Sequence, residues 1–286
     1  MDKSLKTKEL LEKIESSINH IYEAEEIIGI SRLIWEDILN LSELQRVSNS
    51  SIQLSEEAFH KLEDCLGRLQ KQEPIQQIIG FVEFYGRKFK VDQNVLIPRP
   101  ETEELCHLII NRFKDRKESL NIIDLGTGSG CIASTLSNEI INSNVSASDI
   151  SLSAIQLAKI NAVELEAEVE FIHDDICNSK IDQQFQLIVS NPPYVTLAEK
   201  KEMKANVLAF EPHLALFAPE ENPLFFYEKI CDFAINHLHP EGYIYLEINH
   251  LLYKETLDLF STANFKEVEA IKSLNGHYRF VSCIKT

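Results

Sequence analysis

The chain has 286 residues, with 28 Lys+Arg against 45 Asp+Glu and a formal net charge of −17. Its composition, 44% hydrophobic and 26% charged, is globular, which excludes disorder as the main state. The length suits one large domain or a medium domain with a small companion. No apolar run approaches the roughly 20 residues of a membrane-spanning helix. Residues 1–75 carry 9 basic and 15 acidic side chains, and residues 76–286 carry 19 and 30. Neither part offers the basic stripe that non-specific nucleic-acid binding needs, so no direct nucleic-acid or membrane partner is expected. The six cysteines, Cys65, Cys106, Cys131, Cys177, Cys231 and Cys283, form no C-x-x-C pair. Most lie in apolar segments, as in a reduced protein without a disulfide framework or zinc site. The opening Met1–Lys6 has no apolar signal core, so a cytoplasmic protein is expected.

Residues 1–73 read as helices throughout, a small bundle with no strand pattern. Leu10, Leu11, Ile14 and Ile18 form one stripe, continued by Ile27, Ile28, Ile34, Trp35, Ile38 and Leu39. Trp35 suits either the core or a partner-facing position. Ser55 is a good N-cap, with Glu56 and Glu57 in the first turn and Phe59, Leu62, Cys65, Leu66 and Leu69 as the buried face. Pro74 is expected to stop that helix. Over 74–99 the period changes. Phe81, Phe84, Tyr85, Phe89 and Val91 flank Gly86, which predicts a β-hairpin linker. Pro100 and the acids Glu101, Glu103 and Glu104 then predict a helix start.

From Asn121 strands alternate with helices. Strands are expected at 122–125, 144–149, 169–174, 185–190, 242–248 and 281–284, and helices at 131–141 and 151–164. This alternation predicts an α/β fold over 100–286, a doubly wound and mainly parallel sheet.

The first strand runs into Asp124-Leu125-Gly126-Thr127-Gly128-Ser129-Gly130. Such glycines let the backbone turn sharply and approach a ligand at a helix N-terminus. Asp149 ends the second strand, 19 residues after Gly130, where an acid can accept both hydroxyls of a ribose. Together they indicate a nucleoside-containing cofactor. The spacing G-x-G-x-G differs from the dinucleotide G-x-G-x-x-G and resembles that of S-adenosylmethionine-dependent methyltransferases. The resemblance implies that Asp124 helps hold the methionine end and that Asp175 and Ile176 flank the adenine.

The fourth strand ends in Asn191-Pro192-Pro193-Tyr194. Two prolines remove N–H donors and leave two acceptors, the Asn191 side-chain oxygen and the Pro192 carbonyl. Two acceptors suit a planar –NH2 group, fixing both N–H bonds while its lone pair faces an electrophilic methyl. The Tyr194 ring tolerates growing positive charge. His173, Asp174 and Asp175 point to different faces of a strand end, so no metal site is expected. Glu247 suits a proton acceptor or a structural role equally.

Two further segments narrow the resemblance. Glu83-Phe84-Tyr85-Gly86 with Val95-Leu96-Ile97-Pro98-Arg99-Pro100-Glu101-Thr102-Glu103, and Glu211-Pro212-His213-Leu214-Ala215-Leu216, resemble signatures of the release-factor glutamine methyltransferases, the HemK/PrmC family. That resemblance implies a Rossmann-like class I methyltransferase domain behind a helical substrate-recognition domain. It implies methyl transfer from S-adenosylmethionine, with S-adenosylhomocysteine as product, to the glutamine amide of the Gly-Gly-Gln loop of bacterial peptide chain release factors. It further implies that Asn191, Pro192, Pro193 and Tyr194 bind the amide, with Asn191 also near the cofactor, and that the loop around Arg99 and Pro100 lies over the cofactor site.

The sequence departs from that family at Gln77 (often Tyr), at Glu220-Glu221-Asn222-Pro223 (often Gly-rich with an acid), at Asn249-His250 (usually Gly first) and at Ser273 (often acidic). The rival readings are a ribosomal-protein glutamine as substrate, adenine amino-methylation, an inactive binding module and a nicotinamide dehydrogenase. The adenine reading is disfavoured by the acidic charge, the binding module by the intact Asn191–Tyr194 motif, and the dehydrogenase by the glycine spacing.

Overall fold

The computed structural model describes residues 3–48 and 51–286. The chain divides into two compact units, residues 1–80 with Lys204–Phe210, and Phe81–Met203 with Glu211–Thr286. The first holds β1 (Lys3–Lys6), α1 (Thr7–Ile18), α2 (Ala24–Leu33), α3 (Glu43–Val47), β2 (Ser51–Leu54), α4 (Glu56–Leu69) and α5 (Ile75–Ile79). Its core is the expected helical stripe. Leu10, Ile14, Ile18, Ile34, Leu62 and Leu69 are buried together. Trp35 is buried among them, and its indole N–H donates to the Ser42 carbonyl at 3.0 Å, which makes it a core residue. Ile28, by contrast, is exposed.

Three local expectations are corrected here. The segment is not helical throughout, because β1 and β2 pair antiparallel from Lys3↔Leu54 to Lys6↔Ser51. Each strand has only four residues. The alternation of β2, with Ile52 and Leu54 buried between exposed Ser51 and Gln53, is too short to outweigh the helical pattern around it. Second, α4 begins as expected, with Ser55 Oγ accepting from Ala58 N at 3.1 Å, but it ends at Leu69. Pro74 instead caps the start of α5. Third, the first unit extends past residue 73 to Gly80. Ile75 joins the helical core, and Gln77 Nε2 donates to the Phe210 carbonyl at 3.1 Å. Gln77 is thus a brace within this unit.

The second unit opens with the hairpin β3 (Phe81–Phe84) and β4 (Arg87–Lys90). Tyr85 and Gly86 between them both have positive φ, +50° and +71°, as a two-residue type I′ turn requires. Phe84 and Phe89 are buried in this unit's core, with rings edge to face at 5.7 Å. Then follow α6 (Pro100–Phe113), β5 (Leu120–Leu125), α7 (Cys131–Glu139), β6 (Ser143–Asp149), α8 (Leu152–Glu164), β7 (Val169–His173), β8 (Phe185–Ser190), α9 (Ala205–Phe210, grouped with the first unit), α10 (His213–Leu216), α11 (Phe225–His237), β9 (Leu238–Glu247), α12 (Tyr253–Thr262), β10 (Phe265–Lys272) and β11 (Tyr278–Lys285).

The seven strands lie in the order β10-β11-β9-β8-β5-β6-β7. From β9 through to β7 all neighbours are parallel, while β11 runs antiparallel to both β9 and β10. Alternate side chains serve opposite faces. Ile122, Leu187, Val189 and Tyr245 pack on one side with α6 and α7, and Ile123, Ile188, Ile244 and Leu246 pack on the other with α11 and α12. This is the doubly wound α/β architecture expected from the sequence.

Gly130 is where the fold leaves least room. Its φ is +78°, and an added Cβ would sit 2.9 Å from the Cβ of Ala158 on α8. Gly126 has a similar φ of +74°, yet a Cβ there meets nothing within 4 Å. Gly130→Ala is therefore expected to cost about 2–4 kcal/mol, a backbone penalty plus overpacking. Gly126→Ala should cost only about 1–2 kcal/mol. Urea denaturation of the two variants compares them directly, and equal losses would show that α8 yields to the extra methyl group.

Candidate functional site

The order of the sheet decides where a ligand can bind. From β5 the chain moves outward to β6 and β7, then returns to the other side of β5 for β8 and β9. The carboxyl ends of β5 and β8 flank the crevice this creates. Leu125 and Ser190 are register partners there, so the glycine loop and Asn191 leave the sheet side by side. Ser190 Oγ donates to the Leu125 carbonyl at 2.6 Å and ties the two exits together.

The glycine loop is shaped by its neighbours. Gly126 N and Thr127 N both donate to the Ser148 carbonyl at 2.9 Å. Gly128 N donates to Asp149 Oδ2 at 2.9 Å, and Ser151 N to Asp149 Oδ1 at 2.8 Å. Each Asp149 oxygen thus keeps a lone pair for a hydroxyl. Burial raises the Asp149 pKa above its usual value, against the lowering effect of these backbone N–H groups.

A cavity of about 420 Å³ lies over these strand ends, within the usual range for small-molecule sites. Gly126, Thr127, Gly128, Ser129, Asp149, Asp175, Ile176, Asn191, Pro192 and Pro193 line it, all singled out from the sequence. Asp175 is oriented by accepting from Cys177 N at 2.9 Å.

Five expected residues do not line the wall. Asp124 is fully buried beneath the loop, where Thr127 Oγ1 donates to its Oδ2 at 2.6 Å. Gly130 faces α8. Arg99 turns to Glu211, with Nη2 at 2.5 Å from Oε1, while Pro98 takes the wall position. Pro100 is the first residue of α6. Tyr194 does not reach the wall, and its hydroxyl donates to Glu247 Oε1 at 2.9 Å. Asp124, Arg99 and Tyr194 each meet a hydrogen-bonding partner inside the unit, while Gly130 packs against α8 and Pro100 starts α6, and the motif pattern displays none of these contacts.

Other wall residues were not foreseen. Phe225 and Phe226 at the start of α11, and Pro212, Leu214 and Ala215, supply apolar surface. Thr102 lines the cavity as well, and its hydroxyl lies between Asn191 and Glu247. Asn191 Nδ2 donates to Thr102 Oγ1 at 3.2 Å, and Thr102 Oγ1 donates to Glu247 Oε2 at 2.7 Å. The available signal for Thr102 was a single hydroxyl among acids at the helix start. Asn249, at a departure position, is 1% exposed. Its Nδ2 donates to the Tyr194 carbonyl at 3.1 Å and to Glu199 Oε2 at 2.8 Å, so it braces the backbone behind the motif.

Burial also displaces the titrations of Asp124 and Cys131. Burial pushes the Asp124 pKa up to about 7, opposed by the Thr127 hydrogen bond. Burial pushes the Cys131 thiol in the cavity wall up to about 12, which leaves it protonated and unreactive at neutral pH. No group of three or more His, Cys, Asp or Glu among the described residues could hold a metal ion. No helix among them is long and apolar enough to cross a membrane.

Residues 9–80 match the PrmC N-terminal domain and residues 101–215 the Methyltransferase small domain. The chain is 42% identical to a release factor glutamine methyltransferase of Bacteroides thetaiotaomicron, over 94% of this chain and 96% of that one. It belongs to the release factor glutamine methyltransferases. A second member, from Flavobacterium psychrophilum, is 41% identical over 91% of this chain and 93% of that one. In fold alone, the chain is similar to the 16S rRNA N2 G1207 methyltransferase of T. thermophilus, solved with AdoMet and guanosine. That likeness has a TM-score of 0.51 and 14% identity, and covers 72% of this chain and 50% of that one.

The cavity of this family member fits an adenosyl sulfonium cofactor. Gly126 and Gly128 leave open space where a Cβ would stand, so the backbone itself forms the cradle. Asp149 offers acceptors for ribose hydroxyls, and Ile150 and Ile176 offer apolar faces for a flat base.

Asp124 has a testable consequence for stability. Its folded pKa of about 7 lies above the ordinary aspartate value of 3.8. Between those values the folded state holds a proton that the unfolded state has lost, so its contribution falls as pH rises through that window. Asp124→Asn removes this penalty. Its Tm relative to the parent should become more favourable from pH 5 to pH 8, and a difference that stays constant with pH would show that Asp124 does not titrate there.

Proposed function

We propose that the chain transfers a methyl group from S-adenosylmethionine to the side-chain amide nitrogen of the glutamine in the Gly-Gly-Gln motif of bacterial peptide chain release factors, releasing S-adenosylhomocysteine. The observation that carries this reading is that Gly126–Ser129 and Asn191–Pro193 line one cavity from adjacent strand ends. The full-length relatives named for this activity support it.

The bound cofactor would supply an electrophilic methyl group. Backbone at Gly126–Ser129, the Asp149 carboxylate, and Asp175 with Ile176 would hold it. An amide nitrogen is a weak nucleophile because its lone pair is delocalised into the carbonyl. The protein's task is therefore orientation and electrostatics rather than base catalysis. Asn191 Oδ1 has no protein partner among the described residues, so it is free to accept one amide N–H, and the Pro192 carbonyl can accept the other. With both N–H bonds engaged, the nitrogen is held at a fixed distance and rotation, and growing positive charge meets two oxygen dipoles. Tyr194, tied to Glu247, would then act through the position of this backbone. Arg99 would act by pinning its loop to Glu211.

The acidic helical unit, expected over residues 1–73 and extending to Gly80, would recognise the protein substrate. The hairpin over 74–99 would lead into the methyltransferase domain of residues 100–286. A cytoplasmic site of action follows from a release factor substrate.

Two measurements test this reading. Labelled methyl from S-adenosylmethionine should appear on an unmethylated release factor, and peptide mass spectrometry should place a single methyl on the Gly-Gly-Gln glutamine. Asn191→Ala should lower transfer by about 10²-fold or more while cofactor affinity stays within a few-fold. Label on another residue would redirect the substrate, and equal loss of binding and transfer would remove the role given to Asn191.

A further inference from the structure

We propose that Thr102 and Glu247 are positioning residues that set which end of the Asn191 amide faces the substrate. This inference rests on the reaction proposed above and goes beyond it, because it names what makes Asn191 an acceptor. An asparagine amide is nearly symmetric in shape. Turned one way it offers an oxygen to the cavity, and turned the other way an –NH2. Only the oxygen can receive an N–H from a planar amino group. A donor in its place would meet the substrate donor to donor.

Hydrogen-bond polarity around Asn191 resolves the choice. Glu247 lies at the carboxyl end of β9 and is 1% exposed. Two hydroxyls converge on its carboxylate, Thr102 Oγ1 at 2.7 Å on Oε2 and Tyr194 OH at 2.9 Å on Oε1. An ionised carboxylate only accepts, so both hydroxyls must donate to it. A threonine hydroxyl has one proton. Once that proton is given to Glu247, Thr102 Oγ1 can only accept from its other neighbour. That neighbour is Asn191, 3.2 Å away, which must turn its –NH2 toward Thr102. Its Oδ1 is then left for the cavity.

The relay depends on Glu247 carrying no proton. Burial raises its pKa and Glu101 adds to that, while the two hydrogen bonds and the Arg279 charge favour the ionised form. A proton on Oε2 would let Glu247 donate to Thr102, and Thr102 could then donate to Asn191 and turn its amide around. The same carboxylate fixes Tyr194, so one buried charge orients both ends of the Asn191–Tyr194 motif. These partners come from α6, the segment that follows β8, and β9, three places well separated in the chain.

Comparison of Thr102→Val with Thr102→Ser tests the relay. Valine keeps the shape and removes the hydroxyl, while serine keeps the hydroxyl. With a Gly-Gly-Gln peptide or a whole release factor, Thr102→Val should lower kcat by about 10- to 100-fold. Cofactor affinity and substrate KM should stay within about threefold, and Thr102→Ser should restore most of the rate. Glu247→Gln should lower kcat in the parent chain and have a smaller effect in the Thr102→Val background, because the two act in series. Full activity in Thr102→Val, equal loss in the serine and valine variants, or fully multiplicative losses in the double variant would each overturn the relay. Failure of the proposed reaction would be seen separately, as no glutamine methylation by the parent chain.

Discussion

The site depends on one constraint, that β5 is paired in parallel on both of its edges. Parallel neighbours send their carboxyl ends in the same direction, so the exits of β5, β6 and β8 must open on one edge of the sheet. Leu125, Asp149 and Ser190 therefore release their loops into one crevice. The glycine loop and the Asn191–Tyr194 motif, separated by about 60 residues of chain, become neighbours across one strand spacing of about 4.8 Å. The antiparallel β11 and β10 lie beyond β9 and do not alter this, since they extend the sheet away from the switch point.

Around that crevice the charged and polar groups divide by depth. Asp149 and Asp175 line the cavity and are held by backbone N–H donors. Asp124, Glu211 and Glu247 are buried, and each holds a neighbouring segment in place. Asp124 fixes Thr127 in the glycine loop, Glu211 fixes Arg99 and accepts from Ile97 N, and Glu247 fixes Thr102 and Tyr194. Desolvation makes each of these carboxylates costly unless it is hydrogen-bonded. The segments they hold cannot drift without breaking those bonds, and rigidity of this kind is what catalysis by orientation requires.

The motifs were legible because backbone chemistry leaves signatures in composition. Gly126, Gly128 and Gly130 mark positions of positive φ, and Pro192 with Pro193 marks a strand exit stripped of donors. Long periodic elements, such as α4 and α8, were legible as well. Short or irregular elements were not. The strand β10 hides its period, because a bulge between Lys266 and Glu269, with Glu267 at φ +52°, breaks the alternation of its side chains. The pair β1 and β2 is closed by contacts across about 50 residues, which no local window reads.

The sequence by itself determined the fold class, the glycine cradle, the acid at the end of β6 and the pair of acceptors after β8. Each of these rests on local chemistry, on what glycine, proline and a strand-end carboxylate permit. Tertiary structure alone decided which of those residues face the cavity and which support it. It turned Asp124, Arg99 and Tyr194 inward to partners, and it brought Thr102 and Glu247, 145 residues apart, within 2.7 Å of each other behind Asn191. A side chain's direction is set by hydrogen bonds to groups distant in sequence, and those partners meet only when the sheet closes around them.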